Sequence, residues 1–308
     1  MSIRRLLGSK PQLLKTSQLE LPIERKLEPD RNHAKGGRSF YFFDFDDNVA
    51  FLSTMIFLFE KNSGKEMAVT TGEFAQWGRH VGRQGPYADF EVRYDDQTGS
   101  FRRFRDVSAK GIERFTKAKQ PFIEDLAHAL AVEDFKWKGP SWSCFYHASF
   151  NQRPVSVITA RGHHPETIKS GISMFVERGH LPRGPNYLAV FPVSHQDTRN
   201  KLGDSENQWS VAALKKKAIR ASVKMAFDVY GQNSHHRFGM SDDDPHNLEL
   251  ITEEMTRLKS DFPENSFFVI ETNGNRFVKR EVFKDHFETQ TLDTRGQLSL
   301  FVDPPAQS

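Results

Sequence analysis

Cysteine is nearly absent from this 308-residue chain: Cys144 stands alone. One thiol cannot close an internal disulfide, which fits a chain kept in a reducing, cytoplasmic compartment. Long apolar runs are missing too. No stretch nears the ~20 apolar residues that a membrane-crossing helix needs. The opening MSIRRLLGSKPQLLK carries positive charge but neither the apolar segment nor the small-residue cleavage site of a secretory leader. Charge of one sign is lacking in the body of the chain. The formal net charge is +3, yet residues 1–38 hold nine Lys/Arg against four Asp/Glu, which leaves 34 basic and 36 acidic residues in 39–308. Charge alone therefore gives no ground for a nucleic-acid-binding body. What is plentiful is phenylalanine. Its 27 copies supply the apolar area from which a chain of mean hydropathy −0.62 can still build a core.

Residues 1–37 mix charge with Pro11, Pro22, Pro29 and Gly36-Gly37 and show little periodicity, the pattern of a mobile basic extension. Leu13, Leu14, Leu19 and Leu21 offer the alternative of an arm docked on the body. Ser39–Phe43 (SFYFF) then reads as a strand buried on both faces. Val155–Ile158 is a second such strand, with a helix from Pro165, since proline suits a first helical turn. A strand at Tyr187–Val193 and a helix over 209–230, stopped near Gly231, come next. Arg237–Met240 leads into a helix from Asn247 to Lys259, and Phe267–Ile270 and Phe277–Phe283 flank a hairpin turn at Asn273-Gly274-Asn275. Strands alternating with helices specify α/β architecture, a Rossmann-like, mainly parallel sheet built from 38–50 and 152–290.

The inserted residues 51–151 read as an α+β cap. It comprises a hairpin of Phe51–Glu60 and Lys65–Thr71 around Asn62-Ser63-Gly64, a helix from Gly72, and a strand pair at Phe90–Tyr94 and Phe101–Phe104. A helix at Pro121–Val132 follows, and Trp137–Trp142 closes the segment. Residues 291–308 form a tail.

Polar residues gather where the core strands end, the edge at which open α/β sheets bind ligands. Asp44-Phe45-Asp46-Asp47-Asn48 follows the first strand and Thr159-Ala160-Arg161-Gly162 the second. Lys215-Lys216-Lys217 lies in the long helix, and Asp242-Asp243-Asp244 follows the strand at Arg237–Met240. Each group has an ordinary explanation: acids after a strand serve as turn or cap residues, and lysines occupy solvated helix faces. Together they supply hard oxygen donors for a divalent cation and a cation for an anionic substrate.

In their order along the chain, FFDFDDN, VITARG, KKK and GMSDDD resemble the haloacid dehalogenase superfamily of phosphohydrolases. The resemblance covers the core strands and their turns, not the tails or the insertion. It implies a Mg²⁺-dependent phosphomonoester hydrolase in which Asp44 is the nucleophile, forming an aspartyl-phosphate, and Asp46 the general acid/base. Dehalogenase and phosphonatase members lack the second Asp, so its presence points to phosphate esters. Thr159, with the N–H of Ala160 or Arg161, would hold the phosphoryl group. Lys217 is the favoured neutralising cation, with Lys216 or Lys215 behind it. Magnesium would be held by Asp44, Asp46 through its main-chain carbonyl, Asp242 and Asp243, with Asp244 the alternative in a run of three. Asn48 departs from the usual Thr or Val, and Asp47 is an added acid. A phosphotransferase, a nucleotide or DNA-end phosphatase, and a non-catalytic scaffold are the rival readings.

Outside these motifs, Arg79 and Arg83, with His80, Arg102, Arg103 and Arg105, could grip an anionic substrate or be solvated surface charge. His163-His164 and His235-His236 read as exposed loop histidines, and Trp137 and Trp142 as cap core. Gln297-Leu298-Ser299-Leu300-Phe301, before Asp303-Pro304-Pro305, resembles the peptide that bacterial DNA-processing proteins insert into the sliding clamp. There Gln297 would make polar contacts while Leu298, Leu300 and Phe301 fill an apolar cleft. The competing account is a terminal strand that packs on the body.

Overall fold

Ser39–Phe43 (β1) is buried at every position, and the fold follows from having to cover both of its faces. In the computed structural model, which describes residues 26–107, 120–272, 277–283 and 287–291, β1 lies inside a seven-stranded sheet. Its parallel neighbours are β5 (Pro154–Thr159) and β7 (Arg237–Asp242). Beyond β5 comes β6 (Asn186–Pro192), and beyond β7 comes β8 (Ser266–Glu271), both parallel. Antiparallel β9 (Val278–Val282) and β10 (Phe287–Thr291) extend the β8 side. The chain thus moves outward from β1 through β5 to β6, then returns to the other side of β1 for β7 and β8.

Helices cover both faces. Phe40 and Phe42 join the buried cluster of α7 (Val211–Tyr230) and α8 (Pro245–Asp261), through Leu214, Ala218, Ile251 and Met255. Tyr41 and Phe43 join the opposite cluster, formed with α2 (Pro121–Ala129), α3 (Asp134–Trp137), α4 (Trp142–Phe150) and α5 (Pro165–Glu177). Alternating residues of one all-apolar strand therefore seal two layers. A short α6 (Gln196–Leu202) after β6, unmarked in the sequence pattern, precedes α7.

The insertion divides in two. Residues 56–104 carry a small antiparallel sheet of β2 (Ile56–Glu60), β3 (Glu66–Val69) and β4 (Phe90–Glu91), with α1 (Thr71–Trp77) and its own cluster around Ile56, Leu58 and Val69. Residues 121–150 instead furnish α2, α3 and α4, whose Phe122, Trp137, Trp142 and Phe145 lie in the main core beside Phe175. The tryptophans are packing residues of the body rather than of a separate cap. Phe101–Phe104 is not a strand: Arg102–Phe104 is a 3-10 turn, and β4 pairs with β2. Phe101 and Phe104 sit three apart, the spacing of a helical turn, and both enter the small cluster.

Residues 28–37 are anchored, contrary to the expectation of a mobile extension. Asp30 is buried, accepts the Ser39 N–H at 2.9 Å and pairs with Arg153 at 2.8 Å, while the Glu28 N–H donates to Asn151 at 2.8 Å. Residues 1–25, the Asn273–Asn275 turn and the Gln297–Phe301 peptide lie outside the described residues. Among the described residues no helix is long and apolar enough to cross a membrane.

Helices α2 and α5 approach closely at Gly171, where an added Cβ would meet a ring carbon of Phe122 at 2.4 Å. Gly171→Ala should therefore destabilise by about 1–3 kcal/mol, because overpacking outweighs the roughly 1 kcal/mol of helix propensity gained. Gly184→Ala, where nothing lies within 4 Å, should stay within about 0.5 kcal/mol of the wild type in the same denaturant titration.

Candidate active site

The strand order reverses between β1 and β7, and the carboxyl edge at such a reversal is where open α/β sheets bind ligands. The Asp44 N–H donates to the Ser241 carbonyl at 3.0 Å, so the residues leaving the two strands emerge side by side. Asp44, Asp242 and Asp243 each bring a carboxylate oxygen within 4.8 Å of the others. Asp44 and Asp242 are buried. The ammonium of Lys215, 1% exposed, sits between them, donating to Asp242 Oδ2 at 2.8 Å and lying 3.2 Å from Asp44 Oδ2.

The sequence favoured Lys217, and the helix register explains the correction to Lys215. Buried positions on α7 run Leu214, Lys215, Ala218, Ile219, Ser222, Val223, a stripe at helical spacing that includes Lys215 and turns Lys217 away. Lys217 lies 5.2 Å above the Trp209 ring, and Lys216 pairs with Glu253 at 2.9 Å. In the acidic run, Asp244 is the N-cap of α8, accepting the His246 N–H at 2.9 Å ahead of Pro245. That leaves Asp242 and Asp243 in the cluster. Asp242 Oδ1 also accepts from the Asp244 N–H and from Asn247, at 3.1 and 3.2 Å.

Asp46 is reached from β5. Both its oxygens accept from the Arg161 guanidinium, at 2.6 to 3.0 Å, and Thr159 Oγ1 donates to it at 3.3 Å. Arg161 is fully buried, so its fork is committed to Asp46 instead of pointing into an open phosphate pocket. Ala160 is exposed at the strand end. Arg79 and Arg83 are exposed on the turns after α1 and form no ion pair among the described residues. Arg102, Arg103 and Arg105 pair with Glu66, with Glu124 and Asp125, and with Asp96, respectively. His163 and His236, expected in exposed loops, are buried. Burial, helped by Arg161, pushes the His163 pKa down to about 2, which keeps the ring neutral.

Asn48 went unrecognised as a working residue. Fully buried, its Nδ2 donates to the Asp44 and Ser241 carbonyls and to Ser241 Oγ at 2.9 to 3.1 Å, while its Oδ1 accepts from Thr272 at 2.8 Å. It fastens the ends of β1 and β7 together, which a Val could not do. Its sequence signal was the departure from the expected Thr or Val. Asp47 adopts φ 56°, a left-handed conformation that Asp tolerates better than most residues, and accepts from Thr71 at 3.1 Å.

The electrostatics are those of crowded acids. Burial raises the Asp44 pKa well above its ordinary value, Lys215 opposing and Asp242 and Asp243 adding to the rise. Burial and then Asp242 carry Asp243 up to about 7, and burial and then Asp46 carry Asp47 up to about 6. Burial disfavours the charged Lys215, but Asp242 and Asp44 outweigh it and its pKa rises. Five carboxylates (Asp44, Asp46, Asp47, Asp242, Asp243) thus share one edge with two buried cations, Lys215 and Arg161. The donors are all hard oxygens and negative charge is in excess, which fits a divalent cation at Asp44, Asp242 and Asp243. Comparison with protein-family models, with curated proteins and with solved structures returned no match.

The raised Asp243 pKa sets a sign. A carboxyl whose pKa climbs from about 4 unfolded to about 7 folded gives its full stabilisation below pH 4 and loses it as the pH rises to 7. Chelator-treated protein should therefore melt at lower temperature at pH 7.5 than at pH 5 on this account. A millimolar divalent cation, which requires deprotonated ligands, should raise the melting temperature more at pH 7.5. A cation effect equal at both pH values would remove these aspartates from the metal site.

Proposed function

We propose that this chain is a Mg²⁺-dependent phosphomonoester hydrolase of the haloacid dehalogenase type, working through an aspartyl-phosphate on Asp44. The observation that carries this reading is the Asp44, Asp242 and Asp243 cluster with Lys215 wedged into it at the reversal of strand order. Asp44, Asp242, Asp243 and the main-chain carbonyl of Asp46 would hold the ion. When bound, it would withdraw charge from the phosphoryl oxygens.

The remaining chemistry belongs to the chain. An Asp44 oxygen attacks phosphorus, the ester P–O bond breaks, and the leaving oxygen takes a proton from Asp46. Water then attacks the same phosphorus and gives a proton to Asp46. The bond to Asp44 breaks, releasing phosphate and restoring both acids. The Ala160 N–H donates to a phosphoryl oxygen, the Thr159 hydroxyl would turn from Asp46 to do the same, and Lys215 offsets the charge that collects between Asp44 and Asp242. A phosphotransferase would use the same residues with an alcohol in place of water. Recruitment to DNA by the sliding clamp through Gln297–Phe301 is a proposal that rests on the sequence alone.

The test is turnover of aryl, sugar, nucleotide and DNA-end phosphates with Mg²⁺ and with chelator. Asp44→Asn should lose at least about 10³-fold in kcat while melting normally, since the amide keeps the shape but cannot attack. Lys215→Met should lose on the order of 10²-fold, whereas Lys217→Met should behave as wild type. Turnover by Asp44→Asn at the wild-type rate would overturn the reading.

A further inference from the structure

We infer that Arg161 is a positioning residue, which clamps Asp46 and ties its orientation to the inserted segment. Its Nε and Nη2 donate to both Asp46 oxygens, and Nη2 donates again to Thr54 Oγ1 at 2.6 Å. The guanidinium lies between two aromatic rings: Phe104 of the insertion's 3-10 turn at 4.9 Å, and Phe122 of α2 at 4.7 Å. Planar cations stack on such faces, and lysine reproduces neither the stack nor the fork. Arg161 has no exposed surface, and its Nη1 has no hydrogen-bond partner among the described residues.

The clamp continues outward. Thr54 Oγ1 donates to Asp125 Oδ2 at 2.7 Å, and Asp125 Oδ1 accepts from Arg103 at 2.8 Å, one residue before Phe104. The backbone closes the loop, because the Gly162 N–H donates to the Phe104 carbonyl at 2.9 Å. A Cβ at Gly162 would fall 2.1 Å from Arg105 Nη1, so the Arg105 side chain packs directly on this glycine. The turn at 102–105 therefore contacts the 161–162 loop through its backbone, a ring and a guanidinium. A buried charge pair tolerates poor geometry badly, so a shift of this turn would be passed to Asp46. The inserted segment thereby sets the geometry of proton transfer without touching phosphorus.

This inference rests on Asp46 as the acid/base group of the proposed hydrolase, and the experiment separates the two. Full-length Arg161→Lys, Phe104→Leu and Asp46→Asn, and the doubles with Asp46→Asn, are compared on an aryl phosphate and an alkyl phosphate. The clamp predicts that Arg161→Lys and Phe104→Leu lower kcat for the alkyl ester on the order of 10-fold or more, as a misplaced proton donor would. The aryl ester should suffer less, KM should stay within about twofold, and neither change should cost more once Asp46 is Asn. A many-fold rise in KM, with equal losses on both esters that multiply with Asp46→Asn, would make Arg161 a substrate contact and overturn the clamp. An unchanged alkyl/aryl ratio in Phe104→Leu would overturn the tie to the insertion. If the wild type hydrolyses neither ester, the hydrolase reading fails instead. The pair is then read by thermal unfolding, where additive shifts from Arg161→Lys and Asp46→Asn would overturn the clamp and a smaller combined shift would support it.

Discussion

An ammonium with almost no access to water, held between Asp44 and Asp242, is the interaction on which the acidic edge depends. Taking such a charge out of water costs several kcal/mol, and only close carboxylates return it. Those carboxylates repel each other, and without the cation one of them would hold its proton more tightly. Lys215 therefore stabilises the two acids, and they keep it charged. The arrangement requires α7 to lie along the sheet in one register, and the sealing of Phe40 and Phe42 by Leu214 and Ala218 fixes that register.

The inserted segment inherits its position from the same edge. It leaves β1 immediately after the acidic turn, comes back beside it at Ser141, and then runs down α4 to the amino end of β5, at the opposite edge of the sheet. Contacts follow at the acidic edge: Thr71 on Asp47, Phe104 on Arg161, and the Ser141 N–H on the Asn48 carbonyl at 2.8 Å. The helices at 121–150 were drawn into the main core because β1 and β5, apolar on both faces, require a layer on each side. The small sheet at 56–104 had only its own aromatic cluster to build on and remained distinct.

The core strands were legible because burial on two faces leaves an unbroken apolar run, as at Ser39–Phe43 and Val155–Ile158. The places where acids collect followed from the ends of those runs. Choices that depend on rotation or on distant partners were not legible as read. Lys215 could have been separated from Lys217 by counting the apolar stripe through Ala218, Ile219 and Ser222, and Asp244 by its place before Pro245. No local pattern marks Asn48 as a bridge to Ser241 and Thr272, some two hundred residues away. The same holds for Arg161, whose side-chain partners Asp46, Thr54, Phe104 and Phe122 come from four separate segments, and for Asp30, which is buried against Arg153.

Charge excess gives the edge its direction of use. At about 4 Å and an effective dielectric near 20, each uncompensated pair of like charges repels by about 4 kcal/mol. A phosphate monoester carrying up to two negative charges would meet an edge with three more acids than bases. Under the proposed chemistry Lys215 cannot reverse that balance, because both its near partners are acids, and Arg161 cannot either, because Asp46 occupies its fork. With the pKa values of Asp44, Asp243 and Asp47 all raised, protons offset part of that charge while no cation is bound, and a divalent cation would displace them. The same excess accounts for the division of labour between the two buried bases. Under the proposed chemistry Lys215 would hold the attacking acid and Arg161 the proton-transferring acid.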